Sequence, residues 1–164
     1  MKKTEFNLWC LLMIVILGSC GAIGSTVTFH NSDKWLPAKF RPAKAVLLVE
    51  VFAKPQNRAN KAMAIYLDKN YPYKYEIVSA DNINDLSGKY ADLNTYPYAL
   101  VWSRHTLTSI GSNGSTRSGG TGYDLNFYDR EKEKNYPKTG KGCTSPMMLF
   151  KPVINTIVKY CHKG

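Results

Sequence analysis

The sequence predicts an α/β domain, with α+β as the alternative. The expected unit is a single β-α-β-β-β-α domain with a mixed four- to five-stranded sheet and two main helices. Three observations carry this. Ala45–Phe52 is a nearly continuous apolar run, which suits a strand covered on both faces. Apolar residues at helical spacing and then an alternating stretch follow it, in the order of a βαβ unit. A second helical stripe, from Met147 to Cys161, closes the chain.

Taken in order, Pro55 punctuates the first strand and Asn57 is placed to cap a helix. Ala59, Ala62, Met63, Tyr66 and Leu67 fall on one face of that helix. Asn70-Tyr71-Pro72 ends it. Tyr75 to Ala80 alternates as a second strand, expected parallel to the first. Residues 81–95 are polar and turn-rich, with room for a short helix around Ile83–Leu86. Tyr98–Thr106 reads as the third strand and Tyr123–Tyr128 as the fourth. Between them lies a segment with five glycines in twelve residues, 111–122, expected to be a mobile hairpin loop. The charged run Asp129–Lys134 reads as a hairpin tip, with Asn135–Lys138 pairing back. Tyr-Pro occurs at 71–72, 96–97 and 136–137, each time read as preceding a strand.

The closing helix leaves a choice. Pro146 suits its first position with Ser145 as cap, but Pro152 inside it would cost about 3 kcal/mol. The expectation is a kink or a late start. The choice bears on Cys143 and Cys161, the pair expected to meet in a disulfide if geometry allows. A straight helix from Pro146 to Cys161 would separate its ends by about 22 Å. Three residues back from Pro146 reach only about 10 Å, and a disulfide needs Cα atoms within about 7 Å. A start near Pro152 would permit the bridge.

The N-terminus reads as a targeting segment. Lys2 and Lys3 precede an unbroken apolar run, Leu8–Leu17. Ten helical residues span about 15 Å, too short for a bilayer core and right for a signal sequence. Leu17-Gly18-Ser19-Cys20 resembles the bacterial lipobox, and the resemblance implies that Cys20 is lipidated as the first residue of the mature chain. Ordinary cleavage after Ala22, discarding Cys20, is the alternative. The expected organisation is a lipoprotein signal peptide over 1–19, a tether over 20–43 and the α/β domain over 44–164. Several acyl chains would suffice for stable membrane anchoring. No acidic residue follows Cys20 closely. By resemblance to lipoprotein sorting, this implies the bacterial cell envelope, with the chain on the outer membrane and facing the periplasm.

Composition narrows the function classes. The chain has 164 residues, 22 basic and 12 acidic, for a formal charge of +10. Without residues 1–19 it keeps 145 residues and a charge of +9. That length sustains one core without metals or staples. The Gly-rich segment lacks the spacing of a phosphate loop, and Lys138-Thr139-Gly140-Lys141-Gly142 has Gly142 where Ser or Thr is required. His30, His105 and His162 are not spaced as metal ligands. Ser103, His105 and an aspartate could be imagined as a triad, but no nucleophile elbow supports it. The chain is therefore expected to be non-enzymatic, with no cofactor and no metal. The candidate interaction residues are Arg117 in the Gly-rich segment and Arg104 and His105 at the end of the third strand. Nucleic acid is not an expected partner on the periplasmic side. The expected partners are the membrane, through the lipid anchor, and an envelope protein or an anionic glycan. Anionic lipid headgroups also suit the lysines that recur from Lys132 to Lys163.

The layout resembles the small periplasmic α/β domain of curli-export lipoproteins and of the Tol translocation system. The corresponding features are the strand Ala45–Phe52, the strand Tyr98–Ser103, the Tyr123–Asp129 hairpin arm and the closing helix, over roughly residues 44–162. The resemblance implies an accessory role in an envelope assembly.

Overall fold

The computed structural model describes residues 36–37, 39–54, 57–110, 112–136 and 145–161. Its strands and helices are β1 (Leu47–Glu50), α1 (Arg58–Asn70), β2 (Tyr75–Val78), α2 (Ala80–Asn84), β3 (Tyr98–Ile110), β4 (Thr116–Asp129), β5 (Lys134–Asn135) and α3 (Pro146–Cys161). A 3-10 turn covers Lys89–Ala91. The five strands form one mixed sheet in the order β2-β1-β3-β4-β5. β1 pairs in parallel with both β2 and β3, while β4 runs antiparallel to β3 and β5 antiparallel to β4.

The apolar run of β1 is explained by what covers it. Leu47 and Val49 enter the larger core with Met63 and Leu67 of α1 and Phe150, Val153, Ile154 and Ile157 of α3. Leu48 points the other way, into a smaller cluster with Val78, Ile83 and Ala99. A strand with both faces buried has no polar alternation to show. α1 and α3 thus lie on one face of the sheet and α2 on the other.

Local signals set the ends of these elements. The Asn57 side chain accepts the Ala59 N–H at 2.8 Å, capping α1 where the sequence placed a cap. The helix ends at Asn70 as expected, with Tyr71 extended. Ser79 caps α2, which begins three residues before the short helix the sequence suggested. Asn60, buried in α1, accepts the Phe52 N–H and donates to the Lys54 carbonyl. These two bonds hold the turn after β1, where Ala53 adopts a left-handed φ of 57°.

Several expectations are corrected. The packed domain reaches back before residue 44: Leu36 and Phe40, inside the stretch read as tether, are buried in the larger core. Phe40 packs edge-on against Tyr98 and Phe127, at centroid distances of 5.2 and 4.9 Å. Aromatic side chains spaced among prolines carry no periodicity, so the pattern hid their burial. The Gly-rich segment is not a loop for most of its length, because β4 begins at Thr116 within it and pairs there with a β3 extended to Ile110. The run Asp129–Lys134 does make the turn between β4 and β5, but Arg130 within it is buried. Tyr136 directly follows β5, whereas Pro97 directly precedes β3.

α3 runs unbroken from Pro146 through Pro152 to Cys161. This is the long form of the helix. Cys161 is a free, half-buried thiol, and burial raises its pKa. Cys143 and Cys20 lie outside the described residues. Among the described residues no helix is long and apolar enough to cross a membrane.

Candidate interaction arm and the crevice at its base

The β1–β3 ladder stops at the pair Val49–Leu100. At the next step the Glu50 carboxylate accepts the Trp102 backbone N–H at 2.6 Å, and the Trp102 indole donates to the Glu50 carbonyl at 3.1 Å. On the far side, β5 reaches only as far as Tyr128, with one further bond from the Tyr136 N–H to the Phe127 carbonyl. Beyond these points β3 and β4 continue as a two-stranded arm, and no further strand flanks it among the described residues.

The base of the arm is braced on both faces. On the helix side, the Phe52 ring packs edge-on against Trp102 and Tyr123, at 5.1 and 4.7 Å. On the opposite side, Asn126 donates to the Ser103 hydroxyl at 2.9 Å. There too His105 Nδ1 lies 3.4 Å from a carboxylate oxygen of the buried Asp124. Gly122, the cross-strand partner of His105, makes room for the imidazole. A Cβ at this position would collide with His105 Nε2.

Toward the tip, the register shifts between Leu107 and Thr108, where Gly119 is the extra residue on β4. Such a bulge bends the ribbon and raises its twist. Gly120, at φ 112°, takes a conformation that side-chain-bearing residues rarely adopt. Asn113 closes the turn by accepting the Ser115 N–H and hydroxyl, and Gly114 has φ 77°. Ile110 at the tip is 77% exposed.

The three residues expected to form an interaction surface all fall on this arm, but not in one patch. Arg104 pairs with Tyr123 and His105 with Gly122 near the base, while Arg117 pairs with Ser109 near the tip. Strand alternation puts Arg104 and His105 on opposite faces. The triad picture gains one contact and loses another. His105 meets Asp124, but the Ser103 hydroxyl is engaged by Asn126 and sits two residues from His105 along a strand. No group of three side chains among the described residues could hold a metal ion.

Beside the arm, between α2 and the sheet, lies an open crevice of about 340 Å³ lined by Glu50, Asn84, Val101, Trp102 and Tyr128. It occupies the carboxyl ends of the parallel strands, next to the point where strand order reverses, which is where ligands collect on open α/β sheets. Burial raises the Glu50 pKa, opposed by the Trp102 N–H and the Arg104 charge. Neither His105 nor Ser103 lines this crevice. Among the described residues that line it there is no serine, cysteine or histidine beside the carboxylate.

Sequence reasoning missed Glu50, Asp124, Asn126 and the full length of the arm. One signal was present: Asn113-Gly114 is a strong hairpin-turn dipeptide, flanked by the β-formers Ile110 and Thr116. The density of glycines around it masks that signal. Comparison with protein-family models, with curated proteins and with solved structures finds no match for this chain.

Proposed function

We propose that the chain is a non-enzymatic envelope lipoprotein, anchored through lipid at Cys20, that works as an interaction module by presenting the β3–β4 arm to a partner protein. The observation that supports this reading is the arm itself, in which residues 101–110 of β3 and 116–127 of β4 run past the strands that flank them. Isolated two-stranded ribbons are marginal in water. An arm that has no strand beside it toward its tip among the described residues is suited to accept an extended segment by strand addition. The arm has no acidic residue between Ser103 and Tyr123, so its fixed charges are those of Arg104 and Arg117. The lipobox-like string at Cys20 supports an envelope membrane as the setting of the module.

Two measurements test the two parts of the reading. Fatty-acid labelling is expected for the wild type and lost in Cys20→Ala; equal labelling removes the anchor. A photo-crosslinking residue at Thr108 is expected to capture one envelope protein that the same residue at Lys74, away from the arm, does not. Identical products from both positions, or none from Thr108, remove the arm.

A further inference from the structure

We propose that the outward face of α1 and α3 docks on an anionic phospholipid bilayer. The biological setting of this inference rests on the envelope-anchored reading above, but the face can be tested without the anchor. α1 and α3 pack side by side over the sheet, and their inner residues fill the larger core. Their outer residues form a surface of a different kind. Ile65 on α1 is 60% exposed and Met148 on α3 is 47% exposed, both large apolar side chains. Between the helices runs a groove of about 460 Å³, floored by Tyr66 and Met147 and flanked by Lys69 and Lys151. The Lys151 ammonium lies over the Tyr66 ring, 5.6 Å from its centroid, which holds the charge at the groove rim.

The charge of the face is one-sided. α3 carries Lys151 and Lys159 and no acidic residue. α1 carries three basic residues and one acid, Asp68. The Asp68 carboxylate accepts the Tyr75 hydroxyl on the β2 flank, so it is turned toward the sheet edge rather than toward α3. Exposed apolar residues ringed by lysines are the composition of a surface that settles at the headgroup boundary of an anionic bilayer. A soluble anionic polymer would use the lysines but leave Ile65 and Met148 in water. This difference favours the bilayer.

The experiment uses the full chain as Cys20→Ala, so that no acyl chain contributes. Its partition onto vesicles of phosphatidylglycerol and phosphatidylethanolamine is compared with that onto phosphatidylcholine alone, by co-sedimentation. The signal segment contributes equally to every variant, so differences between variants read the face. Binding to the anionic vesicles is expected to fall as salt rises. Lys69→Glu with Lys151→Glu is expected to weaken it by at least about 25-fold, about fivefold for each lysine removed and more for the reversal. The milder pair Lys69→Gln with Lys151→Gln guards against misfolding. The equally charged swap Lys39→Glu with Lys74→Glu, off the face, is expected to cost much less. Equal losses from the two swaps would show an effect of net charge alone and overturn the proposal. So would undiminished binding by the on-face pair, or binding to a soluble anionic polysaccharide without binding to vesicles. Loss of fatty-acid labelling in Cys20→Ala with retained vesicle binding supports both readings. Unchanged labelling removes the anchor and leaves the face standing.

Discussion

The Glu50 carboxylate takes the place of a strand. Where β1 stops pairing with β3, its oxygen accepts the Trp102 N–H that the next ladder step would have used. This ends the sheet body without leaving a buried donor unpaired, and it marks the start of the arm. Burial raises the Glu50 pKa. The folded state therefore holds a proton more tightly than the unfolded state does. Stability from this group is fully present below the ordinary carboxylate pKa and is lost as pH rises through the folded value. Glu50→Gln keeps an acceptor for Trp102 and removes the titration. Its melting temperature is expected to match the wild type near pH 4 and to exceed it at pH 7. Glu50→Ala, which leaves the N–H without its acceptor, is expected to cost about 1–3 kcal/mol in urea denaturation at either pH.

Arg130 is 4% exposed and donates to the carbonyls of Ile83, Asp85, Tyr90 and Tyr96. It fastens the irregular segment between β2 and β3 to the β4–β5 turn. Arg130→Met keeps the stem and strips the donors. The expected loss is about 3 kcal/mol or more, since each orphaned buried acceptor costs about 1–3 kcal/mol. Arg130→Lys is expected to recover only part of this, because a point charge cannot reproduce the planar fork. Hydrogen exchange should show the loosening across residues 83–96; a loss below about 1 kcal/mol would contradict the role.

Gly122 and His105 are coupled by space. A Cβ on residue 122 would overlap the His105 ring and also come within 2.8 Å of a Leu107 methyl. Gly122→Ala is expected to displace the imidazole from Asp124 and to cost about 1–3 kcal/mol. With His105→Ala in the background the same change should cost clearly less, so a double-mutant cycle should give a coupling of at least about 0.5 kcal/mol. Additive losses would mean that the two sites do not touch.

Pro152 sits within an unbroken helix. It lacks the N–H that would bond to the carbonyl of Met148, and its ring crowds that carbonyl. Pro152→Ala is expected to stabilise the domain by about 1–3 kcal/mol, read as a shift of the denaturation midpoint at constant slope. A destabilised variant would show that the ring's own packing outweighs the backbone penalty.

The pattern of this chain was informative wherever one residue's environment follows from its neighbours in sequence. The doubly covered β1, the face of α1 with its Asn57 cap, the βαβ order and the mixed sheet could all be read that way. Periodicity and capping are local, and burial of a face leaves a regular trace. The tertiary structure decided what depends on distant partners. Phe40 is core only because Tyr98 and Phe127 surround it, and Arg130 is buried only because four carbonyls converge on it. The Gly-rich segment became strand because a bulge and an Asn-Gly turn let it pair in register with β3, an energy that no single strand carries alone. α3 passed through Pro152 because its stripe of Leu149, Phe150, Val153, Ile154 and Ile157 is fully buried, and that burial outweighs the missing bond.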